Sequence, residues 1–216
     1  MLPRSAVPAA DLQRTDDRTR CGWCGTDPLY VAYHDEEWGV PERDDRALFE
    51  KLVLDGFQAG LAWITILRKR DAFRRRFEGF RPERIARWGE REVAGALADA
   101  SIVRHRGKIE GAVRNARAWL AVAERGERFA DLCWGVTGGE TRANRWRRLG
   151  EVPAETAESR ALSKALRAAG FTFAGPTICY AFMQAVGIVD DHLVGCFRRA
   201  GAPAAAAPPR RVRPAR

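Results

Sequence analysis

The sequence predicts an all-α fold. Apolar residues recur at spacings of three and four through most of the interior, and no segment alternates strictly enough to claim a strand. Gly or Pro stands at the ends of the best-defined periodic segments. Residues 1–20 and the C-terminal GAPAAAAPPRRVRPAR are rich in Pro, Ala and Arg and carry no periodic apolar face, so both are expected to be disordered. One helical domain over residues 21–199 is expected between the extension (1–20) and the tail (200–216).

Taken in order, the first strong helix runs from Asp44 to Asp55 with Leu48, Leu52 and Val53 on one side. A turn is expected at Gly56, then a helix from Gln58 to Leu67. Arg81-Pro82 starts another, Arg91 to Ala98 forms another, and Lys108 to Glu124 forms a longer one with Ile109, Ala112, Val113, Ala116, Leu120 and Ala123 inward. Residues 134–158 are the least patterned and are expected to be a loop. A helix with Ser159 as N-cap follows, burying Ala161, Leu162, Ala165, Leu166 and Ala169 and stopping at Gly170. The next opens at Gly175-Pro176, buries Ile178, Ala181, Phe182 and Ala185, and closes at Gly187. This pair resembles a helix-hairpin-helix unit, whose hairpin and helix-start amides bind a DNA phosphate without reading sequence. An ordinary helical hairpin has the same pattern.

Lys and Arg number 37 against 28 Asp and Glu, giving a net charge of +9 and suiting a polyanionic partner. The ends inflate that figure: residues 201–216 contribute four Arg and no acid, residues 1–20 four Arg against three Asp. The first twenty residues have no apolar core of a secretory signal, and the most apolar stretch, 59–67, is too short to cross a bilayer. A monomeric cytoplasmic protein without a membrane association is expected. There, five Cys point to thiols or metal ligands rather than disulfides.

Four residues near the two ends of the domain have the chemistry of a closed zinc site: Cys21, His34, His192 and Cys196. His192 and Cys196 are four apart and would share a helical face. A Cys₂His₂ set is saturated, so one structural zinc would clip the N-terminal segment to the C-terminal one. Cys21 and Cys24 also form a CxxC pair, so spacing alone leaves open which of the two is the ligand, and leaves redox chemistry open too. Cys133 and Cys179, among apolar neighbours, fit buried thiols.

Trp23, Tyr30, Tyr33, Trp38 and Trp63 crowd into about forty residues, a density suited to a slot in which an extruded base stacks. Longer blocks carry a family resemblance: CGWC at 21, DPLYVAYHDEEWGVP at 27, LDGFQAGLAWITILRKR at 54, IVRHRGKI at 102 and GFTFAGPTICYAFMQAVGIVDDH at 170, with Cys196. Over residues 21–197 the chain resembles the DNA-3-methyladenine glycosylase I family. The resemblance implies an all-helical, helix-hairpin-helix glycosylase fold acting on double-stranded DNA that contains alkylated bases. It implies zinc on Cys21, His34, His192 and Cys196, with Cys24 a bystander. It puts the base between Trp23, Tyr30, Tyr33, Trp38 and Trp63, and the hairpin on Gly170 to Gly175 with Thr177 at the start of the next helix.

The family usually has Glu where this chain has Asp55, a carboxylate shorter by about 1.5 Å of reach. The resemblance implies that Asp55 and Tyr33 act on the base and that Leu61, beside Gly60, fills the vacated stack. An adenine methylated at N3 is cationic, so aromatic faces and an ionised Asp55 both attract it. Asp190 and Asp191 follow the hairpin where many helix-hairpin-helix glycosylases carry an Asp that assists the attacking water; the family resembled lacks that role, and Asp191 is expected to orient the His192 imidazole. Two rival functions stand beside this one: a non-catalytic binder of damaged or distorted DNA on the same scaffold, with Asp55 the trace of lost activity, and a redox-responsive protein using Cys21 and Cys24.

Overall fold

The computed structural model describes residues 10–199. It opens with an antiparallel hairpin, β1 (Leu12–Thr15) on β2 (Arg18–Cys21), with Leu12 opposite Cys21. Nine α-helices follow among the described residues: α1 (Pro28–Glu36), α2 (Asp45–Gln58), α3 (Trp63–Arg76), α4 (Pro82–Ile85), α5 (Glu90–Ala98), α6 (Arg106–Glu124), α7 (Phe129–Trp134), α8 (Ala157–Ala168) and α9 (Pro176–Ala185). A two-residue strand, β3 (Arg142–Ala143), pairs in parallel with β4 (Val189–Asp190).

The fold is assembled on α2. Asp44 caps it by accepting the Ala47 amide at 2.8 Å. From Leu52 to Phe57 every residue is buried, so this helix is enclosed on all sides instead of along one stripe. It packs on α3, α6, α7 and α9. On its α3 side the filling is aromatic, with Phe57 and Phe73 at 4.7 Å and Phe77 and Trp88 at 5.0 Å between ring centroids.

Four expectations need correction. Disorder through residue 20 fails for the second half of that segment, which forms β1 and β2; residues 1–9 and the tail 200–216 lie outside the described residues. The hairpin has little apolar signal of its own and is tied down by Arg20, which is buried and bonds Asp16 and Asp35 at once. The expected turn at Gly56 is helix, and the chain turns at 59–62 instead, where Gly60 has φ +82°. Lys108 Nζ donates to the carbonyls of Phe57 (2.9 Å) and Ala59 (2.6 Å), which closes α2 from outside. The N-cap of α8 is Thr156, with Ser159 its reciprocal partner three residues on. Residues 134–158 contain β3 and short turns of 3₁₀ helix, so they are an ordered connection and not a plain loop. The hairpin helices otherwise match their expected ends, α9 starting at Gly175-Pro176.

Candidate active site and metal cluster

Asp27 caps α1 by accepting the amides of Leu29 and Tyr30, and this helix carries Tyr30 and Tyr33 one turn apart on the same face. Trp38 follows the helix end, and Trp63 opens α3. Together with Trp23 these rings line a cavity of about 390 Å³, whose floor includes Asp55 and Gln58 of α2 and whose far wall includes Gln184 of α9. Trp23 meets Trp38 edge to face at 4.9 Å and Tyr30 at 5.1 Å, and Tyr33 tilts against Trp63 at 5.5 Å. All five aromatic residues expected in a base pocket therefore line one cavity with Asp55.

The polar atoms of this cavity are unsatisfied in a particular way. Asp55 Oδ2 is buried without a hydrogen-bond partner, and so are the indole Nε1 atoms of Trp23 and Trp63. Such atoms are expensive to leave unpaired and suit a ligand that has both donors and acceptors. Burial pushes the Asp55 carboxyl up to about 7, against a smaller opposing pull from Lys51. Lys51, one turn earlier on α2, donates from Nζ to Tyr33 OH at 2.6 Å and lies 3.7 Å from the centroid of the Trp63 ring. No pattern in the sequence marked Lys51; its spacing of four from Asp55 was the available signal.

Asp191 sits at the cavity edge and does not orient His192. Its Oδ1 accepts from Asn144 Nδ2 (2.6 Å) and Trp146 Nε1 (2.8 Å), and its Oδ2 from Tyr180 OH (2.6 Å) and Gln184 Nε2 (2.8 Å). With four donors it is an anchor for the 140s segment, which brings Leu149 and Val152 to the cavity wall. Those two residues lay in the stretch without pattern.

The partner of His192 is Asp190, whose Oδ1 lies 2.8 Å from Nδ1. His34 has the matching arrangement, with Nδ1 2.8 Å from Asp35 Oδ1. Each imidazole is thereby held by a carboxylate in the manner of a metal ligand, with Nε2 left to coordinate. Buried ligand atoms of Cys21, His34 and Cys196 lie within 4.8 Å of one another. His192 stands beside this group of three and not within it: its ring centroid is 5.1 Å from that of His34, and its buried Nε2 has no hydrogen-bond partner. The hydrogen bond from Cys21 pulls the Cys196 thiol down to about 4, and His34 adds to that pull, so one sulfur is readily a thiolate. Two thiols and a carboxylate-held imidazole, with the orphaned Nε2 of His192 beside them, have the donor chemistry of a soft-metal site. Cys24 is turned elsewhere, its Sγ 3.2 Å from both Gln13 Nε2 and the Cys21 carbonyl. The Cys and His cluster and the cavity share a wall, since Trp38 packs at 4.6 Å against His192 and Trp23 at 5.4 Å against His34.

A second surface lies at the far ends of α2 and α8. Gly170 (φ +95°) turns the chain out of α8, and Gly175 caps α9, leaving Thr177 exposed on its first turn. Between them Asn115 of α6 clamps the hairpin, accepting from Thr172 N at 2.7 Å and donating to Thr172 O at 3.1 Å. Phe173 takes φ +54°, and its ring lies over Gly107 and Gly111, where a Cβ at Gly111 would come within 2.6 Å of it. Gly56 is small for the same reason, at the foot of the Phe173 side chain. Leu61 projects from the neighbouring turn, 40% exposed. A large apolar side chain exposed at a turn tip is a shape suited to a duplex from which one base has left.

The family model for methyladenine glycosylase matches residues 23–199. The chain is 51% identical over 177 residues to DNA-3-methyladenine glycosylase 1 of Escherichia coli (strain K12), covering 82% of this chain and 95% of that one. A crystal structure of a 3-methyladenine DNA glycosylase I superposes with a TM-score of 0.82 at 52% identity, covering 83% of this chain and 99% of the other. The Staphylococcus aureus 3-methyladenine DNA glycosylase I, solved for the basis of its 3-methyladenine recognition, superposes with a TM-score of 0.77 at 33% identity, covering 79% of this chain and 91% of that one. With the cavity, the cluster and the hairpin in one framework matched over most of its length, this chain belongs to the methyladenine glycosylase family.

Proposed function

We propose that this protein flips 3-methyladenine out of alkylated double-stranded DNA and hydrolyses its bond to the sugar, the first step of base excision repair. The observation that carries the proposal is the buried, unpartnered Asp55 oxygen at the floor of a cavity walled by five aromatic rings. The methylated base is cationic, and ring faces attract it through their quadrupoles. Asp55 adds Coulombic attraction and accepts from the exocyclic amine, an edge at which guanine presents a carbonyl oxygen instead. Tyr33 shares the floor, and its phenol, already accepting from Lys51, turns its proton toward the bound base. Trp23, Tyr30, Trp38 and Trp63 stack around the base. Leu61 fills the gap left in the duplex, while the amides of the hairpin tip, Phe173 to Gly175, and of Thr177 hold a backbone phosphate.

The reaction needs little acid catalysis because the base already carries the charge that makes it a leaving group. When the N9–C1′ bond breaks, its electron pair passes to the base, which departs neutral. Water supplies hydroxide to C1′, and one proton is released. Cys21, His34, His192 and Cys196 would hold one zinc ion, whose contribution is structural: a saturated site fastens the N-terminal segment to the chain after β4. No helix among the described residues is long and apolar enough to cross a membrane. The test is incubation with methylated duplex DNA and assay for free 3-methyladenine. Release supports the reading, and tight binding of the alkylated duplex without release would favour the non-catalytic binder.

A further inference from the structure

Lys51 is in an unexpected place for a pocket that takes a cation. Its Nζ lies 3.7 Å from the centroid of Trp63 and 4.5 Å from that of Tyr33, while the residue lines a neighbouring groove and not the cavity itself. A positive charge is thus held behind two rings of the cavity wall. The charged groups facing that groove are largely matched. Glu37, after α1, pairs with Arg70 of α3 at 2.8 Å, and Glu50 of α2 pairs with Arg74 at 2.8 Å. Glu36 and Glu42 also line the groove, and α9 contributes only Ala185 with Val186 beyond it. The carboxylate left to balance Lys51 is Asp55, on the cavity side.

An ammonium there repels a cationic base, and it does so unequally along the reaction. Before cleavage the base carries a full positive charge. As the N9–C1′ electron pair moves to the base, that charge passes to the sugar, which stays with the duplex and farther from the cavity floor. We propose that Lys51 promotes bond breaking by repelling the positive charge on the bound base, a repulsion relieved as the base becomes neutral. Asp55 supplies the attraction that admits the cation, and Lys51 opposes its remaining one. The inference rests on the cavity being the base pocket. Two unit charges about 8 Å apart, at an effective dielectric of about 20, shift an equilibrium about 30-fold, so with partial charge transfer about tenfold in kcat is expected.

Lys51→Met removes the charge and keeps much of the length. On methylated duplex DNA below pH 8 it should lower kcat about tenfold and lower KM about 30-fold, so that kcat/KM rises about threefold, the pattern of lost ground-state destabilisation. Lys51→Met also loses the hydrogen bond to Tyr33 OH, so free 3-methyladenine, which is neutral, should bind the variant no more tightly than wild type, whereas methylated duplex should bind it more tightly. Lys51→Arg should keep the wild-type values. The unmodified enzyme offers a second measurement, because burial pushes Lys51 down to about 8, so its own kcat and KM should fall together as pH rises through that value. A raised KM, a gain in affinity for the neutral free base equal to that for methylated duplex, or an unchanged kcat in Lys51→Met would overturn the proposal. Wild-type protein that releases no 3-methyladenine would overturn both this proposal and the reading of the cavity, whereas release with an unchanged Lys51→Met overturns this one alone.

Discussion

Asp55→Asn should make the protein more stable, by an amount that grows with pH. Burial raises the Asp55 carboxyl from its ordinary 3.8 to about 7. An acid raised in the folded state contributes fully below its unfolded pKa and loses that contribution as pH rises toward the folded pKa. Relative to an uncharged side chain, wild-type protein is therefore penalised progressively between about pH 4 and 7. The shift is roughly three units, so the penalty levels off at about 4 kcal/mol above pH 7. For a chain of this size that corresponds to a rise in Tm on the order of 10 °C for the variant. The comparison is best made near pH 8, where Lys51 is half discharged and loses little with its partner. Thermal unfolding of both proteins at pH 5 and pH 8, each zinc-loaded, reads the effect directly. The gap at pH 5 should be about 1.5 kcal/mol. An Asp55→Asn protein no more stable than wild type at pH 8, or a gap that does not widen between the two pH values, would refute a buried carboxylate held charged for function.

Excision of the cationic base should rise as pH increases through about 7, where Asp55 ionises, and Asp55→Glu should extend the carboxylate toward the base and keep or raise activity unless the extra methylene crowds the floor. Rates on one methylated duplex across pH, for wild type and variant, check both. Gly111→Ala would drive a methyl into the Phe173 ring at 2.6 Å and should destabilise the protein by about 1–3 kcal/mol while weakening undamaged duplex binding, both readable from denaturant midpoints and titration.

The parts of this fold legible in the sequence were those whose signal is local. Pro176 after Gly175, and Gly170 after a three-and-four repeat, located the hairpin because the backbone geometry demands those residues there. The strand pairs carried no such signal: β1 and β2 depend on Arg20 reaching Asp35 fifteen residues on, and β3 on a parallel register with residues 189–190. Gly56 misled for an instructive reason, since a glycine within a helix can serve a neighbour's close approach, here that of Phe173, as well as a turn. In the site, the aromatic cluster and the ligand types were visible as composition. Which carboxylate holds which imidazole was not, because Asp190 and Asp191 are adjacent in sequence and point to opposite partners.

That division of labour between the two Asp residues links the Cys and His cluster to the aromatic cavity. Asp190 holds His192, and the His192 ring packs at 4.6 Å against Trp38 of the cavity wall. Gly39, with φ +78°, approaches so closely that an added Cβ would lie 2.7 Å from the same imidazole, leaving the ring no freedom on that side. A cavity wall resting on the His192 ring should lose its shape when that ring loosens, even if the chain remains folded. Asp190→Asn keeps the size of the side chain at a residue outside the cavity lining, yet it removes the charge that orients His192, a change expected to weaken metal binding about 10- to 100-fold. Wild-type protein should copurify with one zinc by elemental analysis. In Asp190→Asn, zinc content and affinity for free 3-methyladenine should fall together and recover together as zinc is titrated back. Unimpaired base binding by a zinc-free but folded Asp190→Asn would mean that Trp38 stands without the cluster behind it, and that the zinc fastens the chain ends alone.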